Sequence, residues 1–226
     1  MPDMTAGYGI AADLFPDCVR CACMRVQDAP QDLYDAERPF IERAVEKRRR
    51  EFCAGRCCAR QALRQLGFAD APIGQDENGA PVWPEGSVGA ITHSSTYAAA
   101  AVARGDLLRG IGIDLETVSR VSAVISSKVL TRPEELLLRA HADPGQRQRL
   151  LALIFSAKEA VYKCLHPIVQ CRIGFEDARI VCDVRKPGIG IHLSARVLSV
   201  LPEARFLSGR WCCFNDTVCT AVWLAN

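Results

Sequence analysis

The sequence predicts an α+β protein in two halves that divide near residue 108, and three observations carry that prediction. Apolar residues recur at helical spacing between Arg38 and Arg64, a second helix opens at Asp143, and both halves contain runs that alternate with period two. The chain has 226 residues, enough for one large domain or two small ones with cores of their own. Lys and Arg number 28 against 26 Asp and Glu, with 49% of residues hydrophobic and 24% charged, which excludes a disordered tail or a polyanion-coating protein. Arg, Lys or Asp interrupts every long apolar stretch, so none reaches the roughly 18 residues of a membrane span. Met1-Pro2-Asp3-Met4 lacks the basic cluster and apolar run of a secretory signal, and a cytoplasmic location is expected.

In the first half, Phe52, Ala59, Leu63 and Leu66 mark one face of a helix spanning Arg38 to Arg64, with Gly67 as its stop. That segment holds nine Lys or Arg against three Glu, and Arg49, Arg56 and Arg60 fall in a stripe bordering the apolar face. A solvated basic face would give the same pattern. Pro72 to Gly89 reads as loop, punctuated by Asn78-Gly79, Pro81, Pro84 and Gly86. Strands follow at Val88 to His93, Tyr97 to Ala103 and Gly110 to Glu116. The alanine run from Ala98 to Ala101 favours helix by propensity, but Gly105-Asp106 leaves no room for one, so a buried strand is expected.

In the second half, Thr131-Arg132-Pro133-Glu134 has the N-cap, early proline and returning Glu of a helix start. Asp143-Pro144-Gly145-Gln146 repeats that logic and opens a longer helix to about Leu165, where His166-Pro167 stops it. Ile180, Cys182 and Val184 alternate with charged residues, and Ile189, Ile191 and Leu193 also alternate. Trp211 to Phe214 and Thr217 to Leu224 flank Asn215-Asp216 as a hairpin. The expected units are therefore residues 1–108 and 109–226. Of the twelve cysteines, Cys18, Cys21 and Cys23 alone have metal-like spacing, no matching second pair follows, and there are just four histidines. Buried reduced thiols are the expectation.

Three sites carry possible chemistry. In Gly110-Ile111-Gly112-Ile113-Asp114-Leu115-Glu116, alternation puts Asp114 and Glu116 on one face, about 7 Å apart by strand rise, within reach of one hard cation. A wet acidic strand face is the bland alternative, although the glycines also admit a close neighbour. In Phe155-Ser156-Ala157-Lys158-Glu159-Ala160-Val161-Tyr162-Lys163, Glu159 and Lys163 share a helical face, as in an ordinary surface ion pair, but inside an apolar stretch. Ile91-Thr92-His93-Ser94-Ser95 ends a strand in a polar cluster suited to a phosphate. Together these supply oxygen ligands for a metal and cations for a pyrophosphate.

These motifs resemble those of the 4′-phosphopantetheinyl transferases that serve siderophore, nonribosomal-peptide and polyketide assembly lines. The resemblance rests on Gly112-Ile113-Asp114-Leu115-Glu116 and on Phe155 to Lys163, some forty residues on. It extends to Arg48-Arg49-Arg50-Glu51-Phe52 with Gly55-Arg56, to Ala80-Pro81-Val82-Trp83-Pro84 and to Thr92-His93-Ser94. Relatives often carry a lysine in the loop before the tryptophan, where Asn78, Gly79 and Ala80 stand here. The resemblance implies two similar α+β subdomains related by a pseudo-two-fold axis, with coenzyme A bound between them. It also implies that a serine hydroxyl of an apo acyl or peptidyl carrier protein attacks the coenzyme A phosphate nearest the pantetheine, releasing 3′,5′-ADP. Carried over by position, Asp114, Glu116 and Glu159 would hold Mg²⁺, and Glu159 is the candidate base, a metal-bound water relay being equally compatible. Lys158 and Lys163 would bind the phosphates, Lys163 also stabilising the reaction, while Arg48, Arg56 and His93 would grip the adenosine end with its 3′-phosphate. A monomer is expected, since one chain holds both halves of the cleft.

Two other classes compete. A nucleic-acid-binding module could use the arginine helix, but Phe52 alone is available there for stacking and the acidic strand would repel the ligand. A Mg²⁺-dependent phosphohydrolase would use the same metal site with water as nucleophile. Membrane and nucleic-acid partners are not expected.

Overall fold

The computed structural model describes residues 13–169, 172–183 and 186–226; Met1 to Met4 and Val184 lie outside them. In chain order the first half contains β1 (Arg20–Arg25), α1 (Glu46–Gln65), β2 (Gly74–Gln75), β3 (Pro81–Val82), β4 (Ser87–His93) and β5 (Tyr97–Arg104). The second contains β6 (Leu108–Thr117), α2 (Ser126–Val129), α3 (Arg132–Ala140), α4 (Pro144–Val169), β7 (Ala178–Cys182), β8 (Gly188–Leu193), α5 (Ala195–Val200), β9 (Ser208–Phe214) and β10 (Thr217–Ala225).

Two larger antiparallel sheets, a two-stranded β2-β3 ladder and two long helices make the α+β architecture that the sequence predicts. One sheet has the order β1-β5-β4, the other β6-β10-β9-β8-β7. Each half thus runs strand, helix, hairpin, and places the second hairpin strand in the middle: β1, α1, β4 and β5 in one, β6, α4, β9 and β10 in the other. Both long helices lie on outer faces. Ala54, Cys58, Ala62 and Leu63 of α1 meet Ala22, Ala98, Ala100 and Val102. Ala157, Ala160, Val161 and Cys164 of α4 meet Val218, Val222 and Leu224. Between the sheets, Ala90, Ala99 and Ala101 pack against Ile111, Ile113, Leu115 and Ala221. Pleat alternation assigns each strand's residues to these two sides. Among the described residues no helix is long and apolar enough to cross a membrane.

Residues 98 to 103 of β5 are fully buried, because this strand lies between neighbours in its sheet and is covered on both faces. Burial there overrides the helical propensity of alanine. The Asn215-Asp216 hairpin forms as expected, with Asn215 at φ 50°. Gly67, at φ 81°, follows the end of α1.

Two helix boundaries differ from the sequence reading. The first helix does not begin at Arg38: Arg38–Ile41 is a separate 3-10 turn, and α1 starts at Glu46 after extended Val45. The Arg49 guanidinium ties that bend, donating to the carbonyls of Ala44 and Glu42. The long helix does not stop at Leu165 but carries Pro167 inside it to Val169. Proline removes one backbone hydrogen bond near the end, and packing of Leu165, Ile168 and Val169 into the core offsets that loss. β1 was not legible as a strand because its alternating positions are both apolar. Cys21 and Cys23 face the space between the sheets and Ala22 faces α1. Burial pushes the Cys21 thiol up to about 12 and the Cys23 thiol to about 11, as expected of thiols used as small apolar residues.

Candidate active site

The site lies where the ends of β4 and β6 meet α1 and α4. Gly110 and Gly112 bring α4 against β6: a Cβ on Gly112 would lie 1.8 Å from the Ala160 carbonyl oxygen, and one on Gly110 would lie 2.6 Å from that of Cys164. On the same strand face, Asp114 is buried at 4% exposure. Its Oδ1 accepts from Lys163 Nζ at 2.6 Å and from Thr92 Oγ1 at 3.1 Å, while Oδ2 is buried without a hydrogen-bond partner. Thr92 Oγ1 in turn accepts from Leu115 N–H, so β4 of one half fixes β6 of the other.

Three carboxyls feel one another here. Burial first, then Asp114 and Glu159, push the Glu116 carboxyl up to about 7 against the pull of Lys163. Burial and then Asp114 raise Glu159 also, again opposed by Lys163. This crowding favours protonation unless a cation arrives. As they lie, no three His, Cys, Asp or Glu side chains among the described residues form a chelating group. The unpartnered Asp114 Oδ2 nevertheless fits a hard cation, since an oxygen donor with no proton to accept needs one.

Toward α1, His93 Nε2 accepts from the Arg48 guanidinium at 2.5 Å. That leaves the imidazole proton on Nδ1, which faces Glu51 Oε2 at 3.6 Å. Burial lowers the His93 pKa, with Arg48 and Lys163 adding to the effect and Glu51 and Asp114 opposing it. Arg56 is buried deeper, stacked 4.3 Å over the Phe52 ring and donating to the Gly74 carbonyl, with Nε unpartnered. Burial pulls its pKa down to about 10. Among the described residues no carboxylate forms a salt bridge with it, although Glu37 acts on it through space, so an anion reaching this end would find a guanidinium with a donor to give.

The sequence-predicted arginine stripe does not exist as an exposed feature. Arg49 is bonded to backbone carbonyls, and Arg60 is buried in a two-pronged ion pair with Glu37, at 3.0 and 2.8 Å, while also donating to Asp32 O. Of the basic helix, Arg48 and Arg56 address the site. Lys158 corrects a second expectation. It is buried at 2% exposure, and its three ammonium protons go to Glu134 Oε2, Val129 O and Phe175 O. No donor is left for a phosphate. Sequence reasoning gave no role to Glu51 or Thr92, although both stand inside quoted motifs; the signal for Thr92 was its position next to His93 at the strand end.

Beside Glu159 opens a cavity of about 370 Å³, walled by Tyr162, Ile173 and Phe175 with Lys128 and Arg172 at its edge. Crowded carboxyls with a lysine ion-paired among them, and an arginine–histidine pair across from them, beside an adjoining cavity, suit an enzyme acting on an anionic substrate.

Comparison with known proteins narrows that class. Residues 36–103 match the 4′-phosphopantetheinyl transferase N-terminal domain, and residues 110–212 match the 4′-phosphopantetheinyl transferase superfamily. The chain is 42% identical to 4′-phosphopantetheinyl transferase Npt of Nocardia iowensis over 69% of each chain. It is 39% identical to 4′-phosphopantetheinyl transferase PptT of Mycobacterium tuberculosis over 83% of this chain and 84% of that one. Among solved structures, a holo-(acyl-carrier-protein) synthase of Bacillus anthracis in complex with CoA (3′,5′-ADP) aligns with 53% of this chain and 98% of its own at 20% identity, TM-score 0.43. The chain belongs to the 4′-phosphopantetheinyl transferase family.

Proposed function

We propose that this protein transfers the 4′-phosphopantetheine group of coenzyme A to a serine hydroxyl of an apo acyl or peptidyl carrier protein, in a Mg²⁺-dependent reaction. The carrying observation is the meeting of Asp114, Glu116, Glu159 and Lys163 at the junction of β6 and α4, with Arg48 and His93 across from them. Supporting it are the family membership and the similarity to curated enzymes of this activity.

Asp114, Glu116 and Glu159 would hold Mg²⁺, Asp114 through its free Oδ2. When bound, the ion supplies charge neutralisation to the diphosphate. Residues 1–108 would anchor coenzyme A, with Arg48, Arg56 and His93 at the 3′-phosphate, and residues 109–226 would carry the metal site and the reacting groups. The cavity beside Glu159 suits the pantetheine arm, an uncharged chain of amides and methylenes, because its walls mix apolar Val161, Ile173 and Phe175 with polar groups that can meet the amides. Glu159 would take the serine proton, since it lines the cavity on the helix face that it shares with Lys163. The serine oxygen forms the new bond to phosphorus, the bond from phosphorus to the 3′,5′-ADP oxygen breaks, and Lys163 offsets the charge gathering there. The protein would work as a monomer, both sides of the cleft coming from one chain, and in the cytoplasm, in keeping with buried thiols such as Cys58 and Cys164 that form no disulfide.

The test is to incubate the protein with coenzyme A, Mg²⁺ and an apo carrier protein, and to weigh the carrier by mass spectrometry. Gain of one phosphopantetheine, lost on chelation with EDTA and restored by Mg²⁺, is the expected result. Nucleotide release without carrier modification would instead make the protein a phosphohydrolase.

A further inference from the structure

We propose that Glu134, through its buried ion pair with Lys158, is a positioning residue that builds the wall of the cavity beside Glu159 and so sets the affinity for the pantetheine arm. The inference rests on the reading of that cavity as the arm's site. Glu134 is 1% exposed and lies in the first turn of α3, far in sequence from every motif of the site. Its Oε2 accepts from Thr131 N–H at 2.7 Å, Thr131 Oγ1 at 2.8 Å and Lys158 Nζ at 2.7 Å. Its Oε1 accepts from Ile180 N–H at 2.7 Å. Lys158 completes the set by donating to Val129 O at 2.7 Å and Phe175 O at 2.9 Å.

One carboxylate and one ammonium therefore join five segments: the end of α2, the cap of α3, α4 at the residue before Glu159, the turn at Phe175, and β7. Four of these segments contribute Lys128, Glu159, Phe175 and Ala178 to the cavity. A buried pair of this kind is weak evidence for net stability, because desolvation offsets the attraction, and its firmest use is to select one arrangement of the groups around it. Here that arrangement is the separation of Phe175 from α4, which is the width of the cavity. The adenosine end, at Arg48, Arg56 and His93, takes no part in the network.

The experiment compares two probes on the full chain, coenzyme A and 3′,5′-ADP, which lacks the arm. Lys158→Met keeps the length of the side chain and removes its three donors; Glu134→Asp keeps the charge but draws the carboxylate back by one methylene. Glu134→Gln/Lys158→Met removes both charges together, avoiding an unpaired one. Each folded variant is expected to bind coenzyme A about tenfold more weakly, in line with the sensitivity of sites to displacements of about 1 Å, and to bind 3′,5′-ADP within about twofold of the unaltered chain. KM for coenzyme A should rise more than kcat falls. Equal loss of both probes would reduce the pair to general scaffolding, and unchanged coenzyme A affinity in the folded Glu134→Asp or double variant would overturn the proposal. Absence of transfer by the unaltered protein would instead sink the functional reading, and is seen separately.

Discussion

At the scale of single residues, the side chains that matter are distinguished by what they lack. Asp114 is buried and has two partners on one oxygen and none on the other; Arg56 is buried with its Nε lacking a hydrogen-bond partner. Either arrangement costs stability by itself, and a ligand of opposite charge offsets that cost. Asp114→Asn and Glu159→Gln should lower kcat by roughly 10²–10⁴, with the far-ultraviolet dichroism and thermal midpoint close to those of the parent. Near-normal turnover of either at saturating Mg²⁺ would refute the assigned metal site. Arg56→Met, which keeps the stem over Phe52, should instead raise the dissociation constant for coenzyme A about 10–100-fold while kcat at saturation holds, as calorimetry and initial rates would show. The acidic residues and Lys163 were legible in the sequence because their spacing on a strand and a helix fixes which face they share. Lys158 was misread for a physical reason. A lysine in an apolar helix stretch is either reaching for a ligand or paired in the core, and its partner Glu134 lies 24 residues away, where no local pattern connects the two.

At the scale of elements, local periodicity foretold which segments are helix and strand, and long-range packing decided where they end. Capping residues placed the start of α3 correctly, with Thr131 and Glu134 closing a capping box. Pro167 misled because a single lost hydrogen bond weighs less than the apolar surface buried beyond it. β1 left no signal because a strand covered on both faces has no polar side to mark the alternation. The glycines of β6 were read as permitting close approach, and the approaching group is the backbone of α4. That makes Gly112 a position where any side chain moves the helix bearing Glu159 and Lys163. Gly112→Ala would set its methyl against a carbonyl oxygen that cannot rotate away, so the variant should lose about 1–3 kcal/mol or more of stability. It should also lose transfer activity out of proportion to the fraction unfolded. Gly188→Ala, at a glycine with nothing within 4 Å of an added Cβ, serves as the comparison and should behave as the parent in urea melts. Equal midpoints for the two variants would show that α4 is not held by this contact.

At the scale of the whole molecule, the repeated plan of strand, helix and hairpin gives two sheets whose inner faces pack on each other, with Leu14, Phe15 and Val19 joining the same core. Ala99 and Ala101 are small on one side, Ile111, Ile113 and Leu115 fill the space from the other, and the two faces form one core. The same contact assembles the site: Thr92, on β4, holds both the Asp114 carboxylate and the Leu115 amide of β6, and His93 stands beside it. The division at residue 108 is therefore a division of the chain rather than of the core. Fragments 1–107 and 108–226, expressed separately, should each leave an apolar sheet face open to water and associate or fail to unfold cooperatively. Neither should bind coenzyme A as the full chain does. Mixed during refolding, they should recover a single urea transition and measurable transfer to an apo carrier, because the loop cut between β5 and β6 supplies none of the assigned groups. A fragment that alone bound coenzyme A with full affinity would show that the groups of one half suffice, and the cleft between the sheets would then lose its claim to be the site.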